Sequence, residues 1–314
     1  MRALVDAMRP AMILPTCEDV FHLAAAADVG GFADRVFAPP LALLRTLHSK
    51  IEFPAFARSL GISVPETWAL SCSEDCDELP LPSEALVFKP EFSRFGVATL
   101  LRPTLDRLRA VEVLPGRRWA AQEYVAGEEI CLWTASRNGR IVASAAYRPV
   151  WRMGQAASYA FETIECPQAV DIAATIAAAT NLTGQLSLDI ILTADGRALP
   201  IECNPRAVSG VHLFDGDAAL ADALLGEGPP CHAPPRLRYL APAMLSFGVP
   251  RALRDGRWRD FAADMRRGRD ALTRPGDRLP ALGALLDTVG YLLRSGDAVR
   301  GSTADIEWNG EALT

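Results

Sequence analysis

Lysine is almost absent from this chain. Of its 32 basic residues only Lys50 and Lys89 are lysines. Cysteine is sparse and unpaired: seven thiols, an odd number, with no CxxC spacing. Cys72 and Cys76 have no second pair or histidine cluster beside them, which argues against structural zinc. Such scattered thiols fit a reduced, cytoplasmic setting rather than a disulfide framework. No apolar run reaches the ~18 residues of a membrane span, and MRALVDAMRPAM lacks the apolar core of a signal peptide. An excess of positive charge is missing too. The net charge is −6 and the pI about 5.4, which argues against nucleic acid as the main partner. There is no strand followed by GxGxxG, no internal repeat and no low-complexity tract.

The shortage of lysine is informative in itself. Where arginine serves nearly every surface cation, a retained lysine marks a position that needs a compact ammonium on a flexible stem. Chance also leaves two lysines in a chain, so their surroundings must decide.

The rest is globular: half the residues are hydrophobic and 22% charged, over 314 residues, enough for two or three modest domains. The chain is organised around LSLDIILTADGRALPIECNPR, from Leu186 to Arg206. Asp195-Gly196 reads as a two-residue hairpin turn. In that register Thr193 faces Ala198 and Asp189 faces Glu202. Leu186, Leu188 and Ile190 share one face; Asp189, Glu202 and Asn204 converge on the other. Like charges directly opposed are destabilising, so something positive belongs between them. Oxygen ligands without His or Cys suit Mg²⁺ ahead of Ca²⁺ or Zn²⁺. The hairpin alone fits equally well an ordinary solvated turn.

Upstream, AMILP (11–15) and 35–37 read as short strands, with helices from Cys17 to about Ala27, capped by Thr16, and from Pro40 to about Leu47. This is a fragment of a Rossmann-like sheet. Its open strand edge predicts either a homodimer through residues 1–48 or an N-terminal extension. A helix over 50–60 follows, then an exposed acidic stretch at 71–83. ALVFKP ends a strand at Lys89, followed by the loop EFSRFG and the strand VATLL. WAAQEYV, EICLWTAS and IVASAAY are further strands, the last two joined at Asn138-Gly139. RPVWRMGQ (148–155) reads as a loop and 168–180 as a helix. The last eighty residues are mostly helical, closing on a strand in STADIEWNGE.

Several residues carry chemistry by type and place. Arg206 lies beside the two carboxylates, which would pair it unless phosphate or an oxyanion lies above. Lys89 ends a buried strand next to Ser93 and Arg94, a group suited to phosphate. Gln122 and Glu123, with the backbone through Val125, can hydrogen-bond an adenine edge, and Glu129 can accept from ribose hydroxyls. Taken singly, Lys89 reads as a strand-end lysine, Glu129 as an edge-strand solubiliser and Arg94 as a loop cation.

Together, the order Lys50, strand-Lys89-Pro-loop, Gln-Glu-Tyr-Val-x-Gly-x-Glu and Asp189-(12 residues)-Glu-x-Asn-Pro-Arg resembles the ATP-grasp superfamily of ATP-dependent carboxylate–amine ligases. The resemblance covers roughly Lys50 to Leu213 and is strongest at IECNPRAVSGVHLF. That stretch looks like the metal-site strand of the carbamoyl-phosphate synthase and biotin carboxylase branch.

The resemblance implies an α+β fold in which two subdomains sandwich ATP. Residues 1–48 would be an abbreviated Rossmann-like segment, 49–232 the ATP-grasp domain with a lid over about 62–122, and 233–314 a helical extension. By the same resemblance Asp189, Glu202 and Asn204 hold Mg²⁺, with Mn²⁺ as a substitute. Lys50 and Lys89, with Ser93 and Arg94, bind phosphates; Gln122, Glu123 and Val125 bind adenine, and Glu129 the ribose. Arg206 stabilises the transferred phosphoryl or the tetrahedral intermediate. The loop from Glu91 to Gly96 has one glycine where the family usually has several, and Arg94 is placed to compensate. The implied reaction joins a small carboxylate to an amine through an acylphosphate. A carboxylate- or bicarbonate-phosphorylating enzyme, or a nucleotide-binding protein without turnover, are the alternatives.

Overall fold

The computed structural model describes residues 1–93, 98–109, 117–152, 158–214, 216, 218–274, 276, 277, 279–295 and 308–313. Helices α1 (Arg2–Met8), α2 (Asp19–Gly30), α3 (Leu41–His48) and α4 (Glu52–Ser59) come first. The two strands expected at 11–15 and 35–37 reduce to one parallel bridge between Ile13 and Val36. Thr16 does not cap α2: the helix starts at Asp19, whose carboxylate takes the Cys17 N–H at 2.6 Å. Ahead of α4, the Ser49 hydroxyl accepts from the N–H groups of Ile51 and Glu52. Lys50 therefore sits in the turn before the helix, not inside it.

A four-stranded sheet follows, from β1 (Thr67–Leu70), β2 (Leu86–Pro90), β3 (Leu100–Leu101) and β4 (Trp119–Glu123), in the order β1-β4-β2-β3. Helix α5 (Leu105–Arg109) follows β3; of the strand expected over VATLL, Val97 lies outside the described residues, Ala98 and Thr99 are not in strand, and Leu100 and Leu101 pair. Leu86 and Phe88 point into a core with Leu70, Ala121 and Leu108. Strand alternation then turns Val87 and Lys89 to the opposite face.

The larger sheet takes β5 (Glu128–Arg137), β6 (Arg140–Arg152), β7 (Ser158–Thr163), β8 (Gly184–Leu192) and β9 (Ala198–Asn204), with helix α6 (Pro167–Thr180) before β8. After α7 (Ala218–Leu225) come β10 (Cys231–His232) and β11 (Leu237–Tyr239). Helix α8 (Ala241–Ala243) runs through a π turn at Met244–Gly248 into α9 (Val249–Arg254). Then come α10 (Trp258–Arg267), β12 (Arg269–Asp270) and α11 (Leu279–Ser295). The order is β12-β11-β7-β6-β5-β8-β9, with β10 alongside β6.

Asn138 and Gly139 both have positive φ, 48° and 75°, as the expected tight hairpin requires. Of the loop expected at 148–155, residues 153–155 lie outside the described residues and 148–152 continue β6. A proline and two register shifts against β7 break the alternation that would have marked them as strand. β11 and β12 are three and two residues long, too short for patterning to reveal inside a helical tail. Of the strand expected at 302–311, residues 302–307 lie outside the described ones and 308–311 form no strand.

Both faces of the larger sheet are covered. Ile130, Leu132, Leu186, Leu188, Ile190 and Cys203 pack with α6 residues such as Ala173 and Ile176. On the other face Cys131, Trp133 and Tyr147 pack with Leu213 and Phe214. Each fully buried Leu or Ile is worth roughly 1.5–3 kcal/mol over exposure. A one-residue slip of β8 would turn three of them out and Asp189 in, so the apolar face fixes where the acid points.

Candidate active site

The 186–204 hairpin reaches its expected site by an unexpected route. Its loop has three residues, not two: Thr193 pairs with Arg197, closing over Gly196 at φ 83°, and Ala198 faces Leu192 rather than Thr193. A bulge then skips Ile201, and the pairing resumes with Asp189 opposite Glu202 and Ser187 opposite Asn204. The two departures cancel. Pro200 sits beside the bulge on this edge strand, where a missing N–H costs the ladder least.

The bulge exposes a carbonyl, and a lysine uses it. Lys89 Nζ donates to Ile201 O at 2.9 Å and to Gln122 Oε1 at 3.0 Å. Gln122 Nε2 in turn donates to Thr67 Oγ1 at 3.1 Å, so the Gln122 amide is committed to orienting Lys89. Lys50 Nζ donates to Ser93 O at 3.0 Å and lies 3.6 Å from Glu202 Oε1. The two lysines are 3% and 4% exposed. Glu91 locks the Lys50 turn to the end of β2: its backbone carbonyl accepts the Lys50 N–H. Its carboxylate accepts from Ser49 Oγ and from Arg118 Nε and Nη2.

Burial lowers the Lys89 ammonium to about 8, with Glu202 opposing that shift and Lys50 adding to it. Burial acts to raise Glu202, but Lys50, Lys89 and Arg206 outweigh it and hold the carboxyl below its usual range. Asp189 goes the other way, raised to about 7 by burial, Glu202 and Glu129. The Cys131 thiol stands against Asp189 and is itself pushed well up by burial, Asp189 and Glu129.

Asn204 Nδ2 lies 3.5 Å from Asp189 Oδ2 and 3.4 Å from Glu202 Oε1, bridging the two acids where a cation would stand. Among the described residues no group of three or more His, Cys, Asp and Glu gathers. The set is two carboxylates and an amide, all hard oxygen donors once the amide carbonyl turns inward. It fits Mg²⁺. Arg206 completes the cluster, its Nη2 donating to Asn204 Oδ1 at 3.1 Å.

The remaining expected residues lie around this centre. Glu123 and Val125 line a cavity of about 830 Å³ together with Tyr124 and, from the hairpin, Thr193 and Leu199. Gly127 lets the strand linker rest on the hairpin, since a Cβ there would come within 2.5 Å of Leu192 O. Glu129 is paired with Arg152 at 2.8 Å. Ser93 contributes its backbone carbonyl, and Arg94 lies outside the described residues. His212, lowered by burial, Arg238 and Arg274, belongs to the turn packed over Tyr147 and Trp133. Two participants were not foreseen. Cys131 was legible, being two residues past Glu129 on the same strand face; Glu18, which approaches Arg206 from the N-terminal segment, had no local signal.

No protein-family model matches the sequence, and no curated protein matches it. Solved structures do resemble the fold. Phosphoribosylamine–glycine ligase from Thermotoga maritima aligns at TM-score 0.54 and 18% identity, over 65% of this chain and 60% of that one. N5-carboxyaminoimidazole synthase from Aspergillus clavatus, in complex with ADP and 5-aminoimidazole ribonucleotide, aligns at 0.54 and 16%, over 68% and 61%. The biotin carboxylase–β,γ-ATP complex from Campylobacter jejuni aligns at 0.56 and 13%, over 72% and 56%. The chain thus spans about three fifths of the length of these enzymes. Their common architecture is the ATP-grasp fold, and that is the fold of this chain.

Proposed function

We propose that residues 49–232 bind Mg·ATP between the two sheets and use it to activate a carboxylate for attack by an amine. The observation that carries this reading is the meeting of the chain's only two lysines, both buried, with Glu202 on the hairpin. Lys50, Lys89 and Arg206 face Glu202 and an Asp189 pushed up to about 7, a balance that leaves positive charge for polyphosphate to neutralise. The 830 Å³ cavity lies toward the turn end of the same hairpin and shares no residue with the charged cluster. Thr193 is four residues from Asp189, about 13 Å along a strand, which suits a nucleotide with its base in the cavity and its phosphates at the cluster.

In this reading the backbone of Glu123 to Val125 meets the adenine, and Glu129 exchanges Arg152 for the ribose. Lys50, Lys89, Ser93 and Arg94 hold the phosphates, and Gln122 acts through Lys89. Asp189, Glu202 and Asn204 would hold Mg²⁺, which when bound neutralises phosphate oxygens. The acceptor carboxylate attacks the γ-phosphorus, the bond to the β–γ bridging oxygen breaks, and ADP leaves. The amine then adds to the acyl carbon and loses a proton as phosphate departs. Positioning and charge stabilisation by Lys50, Lys89 and Arg206 carry both steps.

The test is ADP and phosphate release by the full chain with Mg·ATP and a panel of amino acids and other carboxylates, each with and without amines. ADP formation that needs both partners is expected. ADP with a carboxylate or bicarbonate alone would mark a phosphotransferase, and nucleotide binding without ADP a non-catalytic protein.

A further inference from the structure

Glu18 is fully buried at a point where four separated pieces of the chain meet. One carboxylate oxygen accepts the Trp308 N–H at 3.0 Å. The other lies 3.4 Å from Arg206 Nη2 and 3.9 Å from His48 Nε2. His48 ends α3, two residues before Lys50. The Trp308 ring, also fully buried, stacks on Phe21 at 4.4 Å, meets Phe92 edge-on at 4.9 Å and lies under the Arg45 guanidinium at 5.1 Å. Phe92 precedes Ser93, whose carbonyl holds Lys50. Gly310 rests so closely on Phe92 that a Cβ would come within 2.6 Å of the ring.

These contacts reach both ends of the charged cluster. Arg206 Nε is buried without a hydrogen-bond partner among the described residues. The guanidinium is aimed by Asn204, the Ala207 carbonyl and Glu18. When Asn204 turns its carbonyl toward the two acids, Glu18, 3.4 Å from Nη2, still holds Arg206 from the opposite element. At the end of β2, Phe92 rests on the Trp308 ring and on Gly310.

We propose that Glu18 and Trp308 are positioning residues for this site, Glu18 aiming Arg206 and Trp308 seating the Phe92–Ser93 segment against Lys50. Residues 308–313 are then a working part of the nucleotide site. The inference rests on the nucleotide reading above.

The test compares Mg·ATP and Mg·ADP binding by calorimetry for the full chain and for the Glu18→Gln, Trp308→Ala and Trp308→Phe variants, with thermal melts as a check on folding. A purely structural role would weaken both nucleotides alike. A positioning role at the terminal phosphate should lower the ATP-over-ADP preference about tenfold in Glu18→Gln. The same loss is expected in Trp308→Ala, and Trp308→Phe, which keeps the stack, should restore the preference to within about threefold. If Trp308→Ala fails to fold, Glu18→Gln decides for Glu18, and Trp308→Leu, which fills the space without a ring to stack on Phe21 and Phe92, takes its place and should show the same tenfold loss. Wild-type protein that binds neither nucleotide overturns the nucleotide reading and this proposal with it. Wild-type binding with the preference unchanged in folded variants overturns the positioning roles alone.

Discussion

The two sheets turn opposite charges toward each other, the lysines buried and the acids half-buried. The four-stranded sheet sends in Lys89, and the turn tied to its end sends in Lys50; the larger sheet sends in Asp189 and Glu202. Neither side is satisfied internally. Among the described residues Lys89 donates hydrogen bonds only to neutral oxygens, those of Gln122 and Ile201, while Asp189 is pushed up to about 7 by burial and its neighbouring acids. Buried charge is tolerated when paired and costs several kcal/mol when not. The two sheets therefore depend on each other electrostatically as well as through packing, and a ligand carrying both phosphate and a cation complements both at once.

The sharpest way to break that dependence is Glu202→Gln. It should lower turnover by on the order of 10³-fold, since a carboxylate in a preorganised charged site carries the largest effects. The hairpin viewed alone predicts that removing one of two opposed acids is neutral or stabilising without metal. The structure reverses this sign. With Lys50 3.6 Å away and 3% exposed, the variant leaves a buried ammonium uncompensated, and the metal-free melting temperature should fall. The loss should lie toward the lower end of the roughly 3–5 kcal/mol of a broken buried pair, because the Glu202 side chain keeps 21% exposure. Unchanged melting would mean the two sheets are not coupled through this residue.

Lys89→Arg comes next and tests the opposite side. The planar guanidinium cannot place its donors on both Gln122 Oε1 and Ile201 O within the same buried space. A displacement of about 1 Å at a reacting centre costs on the order of 10²-fold, to be read as kcat/KM. Wild-type kinetics would show that charge alone is required there. Gln122→Leu should act more weakly, through the lysine. One acceptor of a buried ammonium is lost, typically 1–3 kcal/mol, while Ile201 O remains, so Mg·ATP affinity should fall about tenfold. A change confined to adenine-ring preference would place Gln122 on the base instead.

How far the sequence disclosed this arrangement differs between the same two regions. Asp189 opposite Glu202, the shared apolar face of Leu186, Leu188 and Ile190 and the placing of Lys89 at a strand end were all legible, because each follows from strand alternation next to a strongly apolar face. The register at the turn was not, since Ala194-Asp195-Gly196 and Asp195-Gly196 loops look alike in sequence and the compensating bulge at Ile201 has no local signature. The commitment of Gln122 to Lys89 was hidden because it depends on which strands become neighbours. Glu18 and Trp308 were invisible for the same reason more strongly, standing 290 residues apart in the chain and touching only through the fold.

The smallest expected effect isolates the cost of burying Lys89 from everything that binds it. Lys89 sits at about 8 in the folded protein against 10.5 for a free lysine. Between those values the unfolded chain holds a proton that the folded one has given up, so stability rises with pH across that window. Below about pH 8 both states are charged and the full penalty applies. In Lys89→Met the titration is gone, while unrelated groups titrate in both proteins and cancel in the difference. The comparison to make is therefore metal-free unfolding of wild type and Lys89→Met by denaturant, repeated at several pH values. Wild type should gain about 1 kcal/mol on the variant between pH 7 and pH 9. The offset between the two proteins at any one pH also contains the lost hydrogen bonds to Gln122 and Ile201, so only its slope reports the charge. A flat difference would place the ammonium in contact with solvent, and a slope of opposite sign would mean that Glu202 stabilises the charged form more than burial opposes it.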